Sequence, residues 1–313
     1  MATQRERLGF IGLGSMGRPM ATSLVRKGFD VAAFDTDAAQ IAVLVERGAR
    51  RASSLAALIP TADVVITMLP NTPDVAGVVS GPGGLLETGR AGMMMIDMST
   101  IDPAASRSFG AVLADKGIRF VDAAVGRSPA HAERGESLFM VGAAAGDLER
   151  ARPILEAMGN KIIHCGPQGS GISMKIVNNF LAMATCQLSA EALTLGSKLG
   201  LSAATMYEVI TNSLASNDHL KTYWPTKVLK GDVEPGFAVD LAYKDLSIGV
   251  SAAAQAGVPV PTGAAARDCL AEARTGHGLG GKDITAVLLA AAASAGIEPP
   301  RLSTEVEAGA VTP

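Results

Sequence analysis

The feature that most constrains this chain is a glycine motif near its start, Gly12-Leu13-Gly14-Ser15-Met16-Gly17. A short apolar run precedes the motif, and a segment with the apolar spacing of a helix follows it. In that context Gly12 permits a tight turn, Gly14 lets the backbone approach a ligand, and Gly17 lets the helix pack closely against the strand. The motif therefore predicts a strand, a turn and a helix whose first N–H groups face an anion.

An acidic residue at the end of the next predicted strand strengthens this interpretation over that of an ordinary glycine turn. Asp35 closes the segment Asp30–Phe34, where a carboxylate accepts hydrogen bonds from the hydroxyls of an adenine ribose. Thr36 and Asp37 follow, in place of an arginine that would accept the 2′-phosphate of NADP. We therefore expect NAD as the cofactor, with the contacts Gly12, Gly14, Ser15, Met16, Gly17 and Asp35.

The order of predicted elements favours an α/β fold in the first half of the chain. Strand-like and helix-like segments alternate as far as Lys161–His164, which is typical of a doubly wound, mostly parallel sheet of the Rossmann type. Helix breakers at 166–171 end this pattern, and Ile172–Leu199 then has the character of one long helix. We predict a Rossmann-type domain over residues 1–166, joined by this helix to an all-α substrate and oligomerisation domain over 167–296, with a tail at 297–313.

Composition and charge argue against several classes of protein. The net charge is −3 with the two signs interspersed, which argues against a nucleic-acid partner or a charged membrane surface. No apolar run is long enough to predict a membrane span. The three cysteines lack CxxC spacing and the four histidines lack HxH or HExxH spacing, so we predict no metal site. Free thiols and a polar N-terminus predict a cytoplasmic protein.

Three polar residues share one face of the predicted long helix. Lys175, Asn178 and Asn179 stand at positions i, i+3 and i+4, within reach of a single ligand. A lysine can act as a general acid or base, and asparagines can donate to a hydroxyl, a carbonyl or an anion. A solvated helix face is the alternative, but the rest of the helix is apolar on nearly every side, which favours a function.

Several motifs together resemble the β-hydroxyacid dehydrogenase family, that of 3-hydroxyisobutyrate dehydrogenase, over nearly the whole chain. They are Phe10–Ala21, Met68-Leu69-Pro70, Asp97-Met98-Ser99-Thr100, Gly169–Asn179 and Lys244-Asp245-Leu246. The resemblance implies that Leu69, Pro70 and Thr100 wall the nicotinamide and that Lys244 lies near it. A surface ion pair of Lys244 with Asp240 or Asp245 is the structural alternative.

The same resemblance implies a reaction and roles for the helix residues. Lys175 would be the general acid when an aldehyde is reduced, or the base when an alcohol is oxidised. Asn179 would hold the reacting oxygen or orient the lysine. A catalytically silent nucleotide-binding protein is the alternative from another functional class, and the intact Lys175, Asn178 and Asn179 argue against it.

The substrate loop Gly126-Arg127-Ser128 departs from the Ser-Gly-Gly common in the family and is similar to the branch that acts on sulfonated aldehydes. We expect Gly126, Arg127, Ser128, Asn178 and Asn179 to bind the substrate. Arg127 would hold two sulfonate oxygens, while Asn178 and a loop N–H reach the third. The expected reaction is the reversible, NADH-dependent reduction of 3-sulfolactaldehyde to 2,3-dihydroxypropane-1-sulfonate.

Two departures from that branch leave a carboxylated substrate open. Ser128-Pro129 stands where the branch has threonine and serine, and Ala182 stands where it has a serine. Succinic semialdehyde or 3-hydroxyisobutyrate is therefore the alternative. In either case the expected partner is a small anion, and the extensive apolar helical domain predicts a homodimer or homotetramer.

Overall fold

The computed structural model describes residues 6–302 and divides into two compact units, the first ending at Ile176 and the second beginning at Val177. The first unit is built on an eight-stranded sheet and the second is helical. A long helix, α9 (Ser170–Lys198), begins in the first unit and continues in the second. The predicted fold class, a Rossmann-type domain followed by an all-α domain with a long joining helix, is confirmed.

The sheet of the first unit reverses its strand order next to its first strand. Its strands are β1 (Leu8–Ile11), β2 (Val31–Phe34), β3 (Arg50–Arg51), β4 (Val64–Thr67), β5 (Met94–Asp97), β6 (Arg119–Gly126), β7 (Ser137–Gly142) and β8 (Gly159–Gly166). They lie in the order β3-β2-β1-β4-β5-β6-β7-β8. All neighbours pair in parallel except β6 and β7, which are antiparallel. Every residue of β1, β4 and β5 is buried, as expected of parallel strands covered on both faces.

The helices of the first unit connect these strands. They are α1 (Gly17–Arg26), α2 (Ala38–Val45), α3 (Leu55–Leu58), α4 (Thr72–Ser80), α5 (Leu85–Thr88), α6 (Pro103–Asp115), α7 (Pro129–Glu133) and α8 (Ala145–Met158), with a 3-10 turn at Ile59–Thr61. Side chains cap several of them. Asp37 accepts from the amide of Ala39 at the start of α2, and Asp102 accepts from two amides at the start of α6.

The second unit packs its helices around a separate apolar core. Its elements after α9 are α10 (Ala203–Thr211), a π-helical turn at His219–Tyr223, 3-10 turns at Trp224–Thr226, Val228–Lys230 and Ile284–Ala286, α11 (Val239–Gln255), α12 (Pro261–Thr275) and α13 (Val287–Ser294). Trp224 and Leu288 are fully buried in this core. The indole of Trp224 and the thiol of Cys186 lie together there, and burial raises the pKa of that thiol to about 12.

The domain limits predicted from sequence stay predictions. The compact units divide at 176/177, whereas the helix breakers indicated 166/167. Most of the predicted tail, residues 303–313, lies outside the described residues, and the amide of Leu302 donates to the carbonyl of Leu229 at 3.0 Å. None of the helices described over 6–302 is both long enough and apolar enough to cross a membrane.

Candidate functional site

Most of the predicted site residues of the first unit follow the carboxyl ends of its parallel strands. The glycine motif follows β1, Asp35 follows β2, Leu69 and Pro70 follow β4, Thr100 follows β5, and Gly126 ends β6. Since these five strands run in parallel, their carboxyl ends share one edge of the sheet. The strand order reverses between β1 and β4, and in open α/β sheets a ligand binds at such a switch point.

The glycine loop has the backbone geometry that its sequence predicts. Gly12 has φ +95°, and a Cβ there would meet the carbonyl oxygen of Met68. A Cβ at Gly17 would overlap the carbonyl oxygen of Gly12, so only glycine lets α1 start this close to β1. At Gly14, by contrast, an added Cβ would meet nothing within 4 Å. The loop is thus tight on its sheet side and open on the side where a pyrophosphate would approach.

The start of α1 suits an anion, and Asp35 lies beside it. No side chain caps α1, and its first turn holds no acidic residue, so its positive end is not neutralised locally. The carboxylate of Asp35 accepts from the amide of Leu13 at 2.5 Å and from the amide of Asp37 at 2.8 Å. Each carboxylate oxygen can accept a second hydrogen bond, so Asp35 retains acceptors for two ribose hydroxyls. These residues fit a dinucleotide.

A buried carboxylate ties together the two loops expected at the nicotinamide. The Oδ1 atom of Asp97 accepts from the hydroxyl of Thr67 at 2.8 Å and from the amide of Ser99 at 3.1 Å. The hydroxyl oxygen of Ser99 in turn accepts from the amide of Leu69 at 2.9 Å. The loops after β4 and β5 are therefore held to each other through side chains as well as through the sheet.

The pKa of Asp97 is shifted well above that of a solvated carboxyl. Asp97 is 2% exposed. Burial raises its pKa to about 6, and the negative charge of Asp122 on the adjacent strand adds to the rise. The hydrogen bonds from Ser99 and Thr67 oppose it. Asp97 therefore titrates close to neutral pH instead of near pH 4.

Arg127 follows β6 in a backbone conformation that favours glycine. Its φ is +72°, and it is the one residue other than glycine with a positive φ in the described part of the chain. Its Nη1 donates to the carbonyl of Glu136 at 2.5 Å and to Oδ1 of Asn160 at 2.8 Å. The side chain is exposed, so the guanidinium can reorganise around an anion. The hydroxyl of Ser128 lies 2.8 Å from Nδ1 of His131.

Lys175 lies half-buried in the second turn of α9, just before the end of the first unit. The start of this helix is capped by a side chain on strand β6, which lies far from the helix in sequence but in contact with it. The carboxylate of Asp122, on β6, accepts from the amide of Gly169 at 2.5 Å and from that of Ile172 at 2.8 Å. Burial raises the pKa of Asp122, and these amides oppose the rise.

In the second unit, one carboxylate connects the other predicted residues. Asp245, on α11, accepts from Nδ2 of Asn179 at 2.6 Å and pairs with the ammonium of Lys244 at 3.0 Å. Nδ2 of Asn178 donates to Oδ1 of Asn179 at 3.1 Å. Because an ionised carboxylate only accepts, the Asn179 amide is fixed in orientation, with its nitrogen toward Asp245. The ion pair of Lys244 with Asp245, which the sequence offered as the structural alternative, is present, but the carboxylate is buried and not at the surface.

The structure thus places the candidates after β1, β2, β4, β5 and β6 at one edge of the sheet and connects Asn178, Asn179 and Lys244 through Asp245, and it adds residues that the sequence analysis did not assign. Asp97, Ser99 and Asp122 organise the first unit, and Asp245 organises the second. In the sequence, Asp97 could have been identified as a candidate because it is a carboxylate at the carboxyl end of an otherwise apolar strand. Over residues 6–302, no three His, Cys, Asp or Glu side chains are grouped so as to hold a metal ion.

A glycine loop at a switch point, an uncapped helix start and an acid after the second strand define a dinucleotide-binding protein of the dehydrogenase type. Two family models match the chain in agreement with this class. Residues 7–166 match the NAD-binding domain of 6-phosphogluconate dehydrogenase, and residues 169–309 match the NAD-binding domain of NADP-dependent 3-hydroxyisobutyrate dehydrogenase. The chain belongs to the β-hydroxyacid dehydrogenase family and is an NAD-dependent oxidoreductase of that family.

Relatives of known name cover nearly the whole chain. A 3-sulfolactaldehyde reductase of Escherichia coli is 41% identical over 290 residues, which are 93% of this chain and 97% of the relative. A 2-(hydroxymethyl)glutarate dehydrogenase of Eubacterium barkeri is 38% identical over 282 residues, 90% of this chain and 93% of the relative. The solved structure of a Mycobacterium tuberculosis 3-hydroxyisobutyrate dehydrogenase with L-serine has a TM-score of 0.83 at 33% identity, covering 92% of this chain and 99% of that one.

Proposed function

We propose that this protein catalyses the reversible, NADH-dependent reduction of a small anionic aldehyde, and that 3-sulfolactaldehyde is the substrate it favours. The observation that carries the proposal is Arg127. An arginine occupies a positive-φ position where the backbone favours glycine, directly after a strand whose carboxyl end lies at the switch-point edge. Such a residue is costly to keep unless its guanidinium is used. The similarity to a 3-sulfolactaldehyde reductase supports the same substrate.

In the proposed site, Lys175 transfers the proton and Asn179 helps to position the reacting oxygen. Bound NADH supplies the hydride for the carbonyl carbon of the aldehyde. Lys175 holds a proton at Nζ and gives it to the carbonyl oxygen, or removes it when an alcohol is oxidised. Asn179 lies one helical turn beyond Lys175, and its remaining N–H can donate to the same oxygen because Asp245 fixes the amide. The role of Lys244 toward the nicotinamide stays a prediction.

We also propose a physical cause for the use of NAD in preference to NADP. The carboxylate of Asp35 accepts from two backbone amides and keeps acceptors for ribose hydroxyls. A 2′-phosphate in that position would face two carboxylates, that of Asp35 and that of Asp37, the residue that caps the start of α2. Two negative charges there disfavour NADP by repulsion.

A carboxylated substrate is the second candidate, and one observation favours it. The hydroxyl of Ser128 is engaged with His131, and Ala182 on α9 offers no hydroxyl. A sulfonate has three oxygens to satisfy, whereas one planar guanidinium satisfies a carboxylate with two parallel hydrogen bonds. The Eubacterium barkeri relative is named for a carboxylated substrate, which agrees with this candidate.

The deciding experiment compares NADH oxidation with 3-sulfolactaldehyde, succinic semialdehyde and uncharged glyceraldehyde. We expect Arg127→Gly to lower kcat/KM for the favoured anionic aldehyde by roughly 10- to 100-fold, the value of a hydrogen bond to a charged group, and to leave glyceraldehyde nearly unchanged. Arg127→Lys keeps the charge without the planar fork and should fall between. Equal losses on charged and neutral aldehydes would remove Arg127 from anion binding, and a higher kcat/KM for succinic semialdehyde would select the carboxylate.

A second variant tests the general acid. Lys175→Ala should lower kcat by about 100- to 10,000-fold, to a small residual rate, while the affinity for NADH stays near that of the native protein. Lys198→Ala changes an exposed lysine at the other end of the same helix and is the matched control. Undiminished turnover by Lys175→Ala would remove this lysine from the mechanism. Binding of NADH by the native protein without turnover of any aldehyde would favour the catalytically silent alternative.

We further propose that the protein forms a homodimer or homotetramer through α9. Leu181, Leu188 and Leu195 repeat at seven-residue intervals on this helix, and their exposures are 68%, 62% and 61%. A leucine seam of this spacing is typical of a helix that packs against another helix. The three cysteines are free thiols, which fits the cytoplasm that we expect.

A further inference from the structure

The start of α9 is held by a side chain that lies outside the helix and far from it in sequence. Asp122 is 1% exposed, and its two carboxylate oxygens accept from different backbone amides of the chain entering the helix. Oδ1 takes the amide of Gly169 and Oδ2 takes that of Ile172. A carboxylate that accepts two amides at a helix start satisfies donors that would otherwise be unpaired.

Two glycines make room for this carboxylate. A Cβ at Gly142, on β7, would lie 2.6 and 2.7 Å from the two oxygens of Asp122. A Cβ at Gly171, in the first turn of α9, would press on the carbonyl of Met140 and the amide of Gly142. The helix end therefore sits directly on β6 and β7, with the carboxylate in the remaining space. At this end of α9 the backbone is fixed to the sheet in both position and rotation.

Lys175 is close enough along the helix to depend on this attachment. It follows Ile172 by three residues, a rise of about 4.5 Å. A shift of the helix end relative to β6 therefore reaches the lysine almost undiminished. The charge of Asp122 also helps to hold the ammonium of Lys175 near the start of α9. The positive end of the helix dipole repels an ammonium in the first turns, and the carboxylate offsets this repulsion. Asp97, on the adjacent strand β5, and Cys165, on β8, both interact electrostatically with Asp122, and neither carries a positive charge.

We propose that Asp122 is a positioning residue for the reaction, which fixes the ammonium of Lys175 by anchoring the first turn of α9 to β6. This inference rests on the proposed role of Lys175 as the general acid. Asp122 itself need not touch substrate or cofactor. Its effect on the rate should then pass through the lysine and disappear when the lysine is absent.

The test is a double-mutant cycle of Asp122→Asn and Lys175→Ala. In Asp122→Asn one amide loses its acceptor and meets an N–H group instead. We expect kcat to fall by about 100-fold, the cost of a displacement near 1 Å at a reacting group, with the KM for the aldehyde and the dissociation constant of NADH within about threefold of the native values. In the Lys175→Ala background the same change should alter the residual rate by less than about twofold.

Asp102→Ala is the control, and it removes the cap of α6 completely, whereas an asparagine would keep the one oxygen, Oδ1, that accepts both amides. Asp102 also accepts from two amides at a helix start in the same unit, at 2.8 and 2.9 Å, but α6 carries none of the candidate catalytic residues. We expect it to lower the melting temperature without the large loss in kcat. A loss in kcat equal to that of Asp122→Asn would show a general effect of uncapping and would overturn the proposal.

The remaining outcomes separate this inference from the proposed function. Native kcat in Asp122→Asn, together with a strongly impaired Lys175→Ala, would overturn the positioning role alone. Full turnover by Lys175→Ala would overturn the proposed mechanism instead. A 100-fold loss that persists in the Lys175→Ala background would show that Asp122 acts by another route. If Asp122→Asn does not fold, Asp122→Ser removes the acceptor of both amides and leaves a smaller polar side chain on β6, and the same cycle applies to it.

Discussion

The buried carboxyl of Asp97 should make the stability of this protein depend on pH in a direction opposite to that of a paired surface acid. Its pKa is raised from 3.8 to about 6 in the folded protein, so the fold favours the protonated form. The stabilisation is complete below the unfolded pKa and is lost as the pH rises through 6. A difference of about two pKa units corresponds to about 3 kcal/mol of unfolding free energy.

Asp97→Asn removes this titration and keeps an oxygen that can accept from Thr67 and from the amide of Ser99. The assay is urea-induced unfolding of both proteins between pH 4 and pH 8, with the difference in unfolding free energy taken at each pH. We expect the variant to gain about 2.5 kcal/mol relative to the native protein between pH 4 and pH 8, because a small part of the stabilisation is already lost at pH 4. Asp63→Asn is the control. Hydrogen bonds from Arg7 lower the pKa of Asp63, so the pH dependence that this substitution removes should lie below pH 4, outside the range of the assay. A difference that stays constant from pH 4 to pH 8 would refute the reasoning.

Three further changes test the other features. Gly17→Ala places a methyl group against the carbonyl of Gly12 and should weaken NADH binding, measured by fluorescence titration, by at least about tenfold; Gly77→Ala, whose Cβ meets nothing within 4 Å, should not. Asp35→Ala should lower the preference for NADH over NADPH, measured as the ratio of the two kcat/KM values, by roughly 10- to 100-fold. Asp30→Ala, at the other end of β2, is the control, and an equal change there would argue against a specific role of Asp35. Leu188→Asp should shift the sedimentation coefficient to that of a single chain, and an unchanged value would exclude the leucine seam.

Local patterns in the sequence predict much of this fold. The glycine motif places β1 and α1 correctly because each glycine has its own steric cause within a few residues. The long helix predicted at Ile172–Leu199 forms at Ser170–Lys198, because no proline interrupts the segment and most of its residues are good helix formers. Short elements such as β3 and α5 were not predicted, since two to four residues carry no recognisable period.

The contacts that organise the candidate site could not be predicted in the same way. Asp122 caps α9 from 47 and 50 positions away, and Asp245 fixes Asn179 from 66 positions away. Hydrogen bonds of this kind depend on which strands become neighbours, and the spacing of residues along one segment does not report that. The reversal of β7 against β6 is a further example, because alternating strands and helices predict a parallel order.

The backbone at Arg127 has a consequence for how this protein can change. A non-glycine residue in the left-handed region carries a conformational cost of about 1 kcal/mol. Selection for heat resistance alone would therefore favour glycine at this position, whereas selection for discrimination between charged and neutral aldehydes would favour arginine. Libraries screened for thermostability should accordingly lose substrate selectivity at a single codon, without any other sign of damage.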